Sequence, residues 1–205
     1  KTALPKYSSC IYDEPKKPET AEEKKIEESR KQAEKDKRIE YNGNCSELIT
    51  VTTAFKDSSF ELPLSVNQIG TFKDEGWLSG YNGISGFAGC KELKQIKLHN
   101  NLEVIGNGAF YNTGIEEIEI PDSVHKIGCG AFALTKNLKH IILPKVCDID
   151  THRLFYESSV ESVVISEGTT TIKDEAFRDT TNLKHVELPS TVTGIGLFAF
   201  FRSGI

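Results

Sequence analysis

Ile115-Glu116-Glu117-Ile118-Glu119-Ile120-Pro121-Asp122-Ser123-Val124-His125-Lys126-Ile127-Gly128, closed by Ala131-Phe132, is the stretch on which the fold turns, because the same frame returns along the chain. Phenylalanine recurs at Phe87, Phe110, Phe132, Phe155, Phe177 and Phe200, with the spacing alternating between 23 and 22. Further copies of the frame begin at Leu93, Leu138, Val160 and Leu183, and a last one is cut short at Ile205. The general unit is L-x-x-I-x-L-P-x-x-V-x-x-I-G-x-x-A-F, followed by a short link. From the last strand position to the phenylalanine the interval is always 12 (Leu98 to Phe110, Ile120 to Phe132, Leu143 to Phe155, Ile165 to Phe177, Leu188 to Phe200), so the alternation lies in the link. A fixed interior between variable links marks a structural repeat.

Each unit supplies one short strand and a return arm, too little to bury its own apolar face, so units must stack. In L-x-x-I-x-L the apolar positions point into the stack and the positions between them point to water. The proline ends the strand without removing a ladder bond. Val, Ile and Phe of the return arm turn inward, and the glycine after Ile suits a place where a Cβ would crowd or where φ is positive. Parallel strands joined by such arms coil right-handed. The expected architecture is an α/β-type solenoid with a parallel sheet along one face and short irregular or helical return arms.

The frame resembles the leucine-rich repeat, in the 22–23-residue form of the BspA-like bacterial and protist surface proteins, which carry I-P-x-x-V-x-x-I-G-x-x-A-F. The resemblance spans Phe87 to Ile205, and Leu62-Pro63-Leu64-Ser65-Val66-Asn67-Gln68-Ile69-Gly70 matches the core of the same motif upstream. It implies that the sheet lies on the concave face and is the binding surface. It also implies an exported or surface-anchored, non-enzymatic protein that recognises host or neighbouring-cell macromolecules, with a protein or glycan, such as an extracellular-matrix or plasma protein, as partner. No cofactor is expected. A structural spacer in a longer surface protein is the alternative.

The chain divides into three parts. Residues 1–46 read as a charged linker or lone helix, since Asp13 to Glu40 is dominated by Lys, Glu, Asp and Arg, with a capping-box pattern at Thr20-Ala21-Glu22-Glu23. Residues 47–86 read as an N-terminal cap with an interrupted first repeat, because the stretch from Leu62 to Phe87 is about twice as long as the same interval in the regular units. Residues 87–205 are the array, which stops on the first residue of a new strand. In the unit after Leu138 the frame departs from consensus at Cys147, Asp150, Thr151 and Leu154, so a distorted arm is expected there, with Ile149 replacing the missing Ile.

Composition narrows the function. The 205 residues carry 25 basic and 30 acidic side chains, for a net charge of −5 and a pI near 5.6. Mixed charge of this kind argues against nucleic acid, whose binders gather Lys and Arg on one face. No apolar run approaches the roughly 18 residues of a membrane helix, and no signal-peptide pattern opens the chain, so any targeting segment is expected to have been removed. The five cysteines form no C-x-x-C pair. Cys90 falls in a column filled elsewhere by Thr113, Thr135, Ser158, Thr180 and Ser203, where a small buried residue fits; Cys147 takes a core valine position and Cys129 a turn. Cys10 and Cys45 lie outside the array, and a disulfide between them is open if the protein is exported. Phosphate-loop, zinc-protease, nucleophile-elbow and EF-hand signatures do not occur, and Gly106-x-Gly108 and Gly128-x-Gly130 belong to the repeat frame. Catalysis would have to come from the insertion around Lys73 to Gly86, where Asp74, Glu75, Trp77 and Tyr81 offer one adjacent carboxylate pair.

The outward strand positions carry the binding hypothesis. They form two columns: Gln95, Glu117, His140, Ser162 and His185 in the first, Lys97, Glu119, Ile142, Val164 and Glu187 in the second. Ile142 and Val164 are apolar where water is expected, on adjacent strands between Glu119 and Glu187, and are either a contact patch or a simple consequence of β-propensity. Glu117, Glu119 and His140 lie within reach of one another, but exposed Glu and His need no partner, so a solvated charge pair is expected and not a metal.

Overall fold

The computed structural model describes residues 55–70, 86–145, 147 and 152–205, the backbones of Ile39–Tyr41 and Glu47–Val51, and Lys24, Glu28 and Lys31. The strands in chain order are β1 (Ile39–Tyr41), β2 (Glu47–Val51), β3 (Ser59–Glu61), β4 (Gln68–Ile69), β5 (Gln95–Lys97), β6 (Val104–Ile105), β7 (Glu117–Ile118), β8 (Lys126–Ile127), β9 (His140–Ile142), β10 (Ser162–Val164), β11 (Thr171–Ile172), β12 (His185–Glu187) and β13 (Gly194–Ile195). They form a parallel-strand solenoid in which most strands pair with their counterparts in the next unit. The expected strand face is built from β3-β5-β7 and β9-β10-β12. Return arms contribute a second face, β2-β4-β6-β8 and β11-β13, and β1 pairs antiparallel with the outer side of β2. The second face was not expected.

Helical return arms do not occur among the described residues. Between the last strand position and the phenylalanine each arm turns a corner, adds a two-residue strand and turns again. The first corner is closed by a bond from the inward residue's N–H to the carbonyl three residues back, as in Val66 to Pro63 (2.9 Å), Leu102 to His99 (3.0 Å) and Val124 to Pro121 (3.0 Å). At the second corner the residue two before the phenylalanine has positive φ: Gly108, Gly130, Arg153, Glu175 and Phe198. A helix cannot pass through a left-handed residue. The residue two after the phenylalanine is also left-handed, at Gly89, Asn112, Leu134, Glu157, Asp179 and Arg202, so this bend is a property of the repeat and not of one residue type.

Those corners generate a third line of contacts. Phe87, Phe110, Phe132, Phe155 and Phe177 each donate a backbone N–H to the carbonyl of the residue before the next phenylalanine, at 2.7 to 3.1 Å. Their side chains stack with centroids 5.1 to 5.8 Å apart and planes within 19° of parallel, as far as Phe200. Near-parallel rings at such a separation are offset, the arrangement their quadrupoles favour. Around this column the core is continuous, from Phe55 and Leu62 through Ile105, Val124, Ile127, Leu138 and Val160 to Leu183.

Glycine after the inward Ile answers crowding at Gly128 and Gly196. A Cβ on Gly128 would lie 2.5 Å from the Asn107 nitrogen. The shorter link also has a local cause. Gly114, Ser159 and Gly204 stand one residue before the new strand anchor, and each donates its N–H to a carbonyl of the preceding small-residue column, at Cys90, Thr135 and Thr180.

The small-residue column is buried at Cys90, Thr113, Thr135, Ser158 and Thr180. Thr113, Thr135 and Thr180 donate their hydroxyls to the carbonyls of Phe110, Phe132 and Phe177. Burial pushes the Cys90 thiol up to about 12, which keeps it protonated and inert. Cys147 is buried, as its core position requires, and Leu154, where alanine is usual, is also buried. The expected role of Ile149 falls outside the described residues. So do Cys10, Cys45, most of residues 1–46 and the insertion from Lys73 to Ser85.

Two departures from the frame have measurable consequences. Thr169 occupies a core valine position and its buried hydroxyl lacks a hydrogen-bond partner among the described residues. Thr169→Val keeps the shape and removes a desolvated polar group, so chemical denaturation should show a gain of about 1 kcal/mol; a loss would contradict this reading. His99 stands where most other units carry proline. Its Nε2–H donates to the Pro63 carbonyl (2.8 Å), and its Nδ1 accepts from the Asn101 N–H (3.2 Å), an arrangement that requires the neutral ring. Half-burial lowers the His99 pKa below its ordinary value, against opposing pulls from the Pro63 carbonyl and Glu61. Because the folded chain disfavours the proton, this contribution is complete above about pH 6.5 and fades as pH falls below it. The melting-temperature advantage of the native chain over His99→Gln should therefore shrink between pH 7.5 and 5.5; a constant gap would count against it.

Candidate functional site

The strand face brings the ten outward residues into two registered columns. Gln95 lies opposite Glu117, and His140, Ser162 and His185 are successive partners. In the second column Ile142, Val164 and Glu187 are successive partners. Lys97 pairs with Glu61, a column member from the first unit that the sequence reading left out together with Ser59, which pairs with Gln95. Both were legible from the position of Leu62, since the strand before it must end there. Glu119 lies just past the end of β7 and is exposed. Ile142 is 68% exposed, whereas Ser162 and Val164 are half-buried between their neighbours, less open than expected.

Charge on this face is arranged unit by unit. Immediately before the first column runs an alternating row, Lys94, Glu116, Lys139, Glu161 and Lys184, with pairs at 3.0 Å (Lys94–Glu116), 3.5 Å (Lys139–Glu161) and 2.6 Å (Lys184–Glu161). The Lys184 ammonium, assisted by Lys139, holds the Glu161 carboxyl below its usual range. Lys97 reaches Glu61 at 2.6 Å, and the Gln95 amide donates to Glu117 at 2.6 Å. Asp122 accepts the Lys145 N–H and pairs with its ammonium at 3.2 Å, which lowers its pKa. These pairs are exposed or half-exposed, so each contributes little stability. Their effect is to leave few carboxylates uncompensated, and Glu119 and Glu187 meet no cation among the described residues.

The strand ladder opens once. β7 and β9 are adjacent but not hydrogen-bonded, so the face consists of two three-stranded sheets. The alternating charge row stops at the same place, because Glu116 and Lys139 are not paired among the described residues. A groove of about 1100 Å³ lies over the β5 and β7 units and reaches His140 across this opening, lined among others by Gln95, Lys97, Glu117, Glu119, Asp122 and His140. Glu117, Glu119 and His140 therefore share one groove, yet no three His, Cys, Asp or Glu side chains gather closely enough to hold a metal among the described residues.

A second cluster, on the arm corners, was not anticipated. Arg178 packs 5.9 Å from the Tyr156 ring, 5.8 Å from Phe198 and 5.6 Å from Phe201, and pairs with Glu175 (2.8 Å) and Asp179 (3.3 Å). Arg153 also pairs with Glu175, and Arg202 with Asp179. It ties three units together at one edge. No helix among the described residues is long and apolar enough to cross a membrane.

Residues 83–152 and 148–205 match the BspA type leucine rich repeat region, in 6 copies. Several solved structures share the fold. A leucine-rich repeat protein from Eubacterium ventriosum is 21% identical with a TM-score of 0.59, over 80% of this chain and 48% of that one. The T. pallidum leucine-rich repeat protein is 19% identical with a TM-score of 0.60, over 80% of this chain and 85% of that one. A leucine-rich cell surface protein from Faecalibacterium prausnitzii is 24% identical with a TM-score of 0.58, over 74% of this chain and 37% of that one. This chain thus spans about half the length of the first and less of the third. No curated protein matches it. The repeat frame, the strand pairing from unit to unit and the extent of the match together place the chain in the family of BspA type leucine-rich-repeat proteins.

Proposed function

We propose that this chain is a non-enzymatic recognition module of an exported or surface-anchored protein, which binds a macromolecule of a host or neighbouring cell through its strand face. The observation that carries the reading is Ile142, an aliphatic side chain 68% exposed in the middle of a largely polar face. Beside it in register stands Val164. Isolated surface aliphatics are ordinary, but adjacent ones framed by polar and charged side chains favour contact with a partner. The cell-surface relative from F. prausnitzii supports the location. Family membership supports protein interaction over catalysis. Repeats of this kind present an extended surface across several units, and Gln95, Lys97, Glu117, Glu119, His140, Ser162, His185 and Glu187 frame the apolar pair.

The test is binding of the purified chain to an array of extracellular-matrix proteins, plasma proteins and glycans, with an Ile142→Asp/Val164→Asp double variant alongside. A ligand captured by the native chain and lost by the folded variant, with at least tenfold weaker binding, is the expected result. Undiminished binding by the variant would remove the strand face as the site. Absence of any ligand would favour a structural spacer.

A further inference from the structure

The second outward column has a pattern that specifies its partner more closely. Read across the units it runs Glu119, Ile142, Val164, Glu187: a carboxylate, two aliphatic side chains and a carboxylate. Ile142, Val164 and Glu187 are register partners on β9, β10 and β12, and Glu119 holds the equivalent place one unit earlier, across the opening between β7 and β9. Neither carboxylate meets a cation among the described residues. The neighbouring charges are committed elsewhere: Lys97 to Glu61, Lys145 to Asp122, Lys184 to Glu161. This stretch of the column therefore offers two separated negative charges with an apolar step between them.

The separation is set by the backbone. Hydrogen-bonded strands stand about 4.8 Å apart, and at that spacing the three steps from Glu119 to Glu187, the first of them across the opening, cover about 14 Å, with the middle of the Ile142–Val164 step about 7 Å from either end. An extended peptide rises about 3.3 Å per residue, so its alternate side chains, which share one face, fall about 7 and 13 Å apart. The two spacings coincide. We propose that this column reads an extended protein segment laid across the strands, with a basic residue, an apolar residue and a second basic residue at positions i, i+2 and i+4. The basic residues meet Glu119 and Glu187, and the apolar residue rests on Ile142 and Val164. Helical partners do not fit as well, because side chains on one helix face recur at about 5–6 Å. The groove over the opening beside Glu119 leaves room for a long Arg or Lys side chain to approach the first carboxylate.

This inference rests on the strand-face reading above and adds the chemistry and spacing of the partner. It is tested with the whole 205-residue chain and two labelled synthetic peptides of equal composition, one with the core Arg-Thr-Ile-Thr-Arg and one with the core Arg-Arg-Ile-Thr-Thr, by fluorescence anisotropy. The alternating peptide should bind at least tenfold more tightly. That preference should vanish in a Glu119→Gln/Glu187→Gln variant whose circular dichroism is unchanged, and raised salt should weaken it. Equal binding of the two peptides, or an unchanged preference in the variant, would overturn the spacing. If a protein or glycan from the array still depends on Ile142 and Val164 in that case, the strand face stands and only the basic–apolar–basic partner falls. If neither array nor peptide depends on those residues, both fall.

Discussion

Everything in this molecule depends on contact between units that are too small to hold themselves. A single turn of the coil encloses no interior; its apolar side chains become buried only against the turns on either side. The Phe87-to-Phe200 column is where that dependence is most concentrated. Each ring lies against the next at 5.1 to 5.8 Å, and the same residues pass a backbone hydrogen bond from unit to unit. Burial of a large aromatic removes more apolar surface from water than any other residue in the frame. The ring column therefore aligns the units, and the strand columns inherit their register from it.

The candidate site follows from that inheritance. Outward residues align because inward ones must, so Ile142, Val164 and Glu187 stand side by side whatever their own chemistry. Selection can then vary the outward face at little cost to the stack. The alternating Lys and Glu row shows one use of that freedom, since opposite charges in adjacent units avoid repulsion between neighbours. The opening between β7 and β9 is the exception, and there both the ladder and the charge row lapse while the ring column continues through Phe132 and Phe155. The ring planes tilt most there and at the next step, by 16° and 19° against 3° to 6° elsewhere.

The periodic parts of the structure were legible in the sequence because a repeat frame fixes which positions face inward. The strand face, the phenylalanine core, the buried column from Cys90 to Thr180 and the outward columns all follow from it. The return arms were not legible in detail. Whether such an arm forms a helix or a corner, a short strand and another corner depends on left-handed backbone at residues as unlike as Arg153, Glu175 and Phe198, and no propensity announces that. The second face and the phenylalanine-line hydrogen bonds likewise exist only between units. Half-burial of Val164 and the cation–aromatic packing around Arg178 depend on neighbours a full repeat away along the chain. At the site the columns could be read, but the opening beneath the groove could not, because the strand residues on either side of it fit the frame as well as any others.

The most direct measurement of the central claim is amide hydrogen exchange on Phe155→Ala, compared residue by residue with the native chain. If the ring column aligns the units, removing one ring costs about 3–5 kcal/mol and speeds exchange at the amides of Phe132 and Phe177, which lie in the units on either side. Unchanged exchange at both positions would mean that each unit holds its shape without its neighbours' rings, and the account would be wrong.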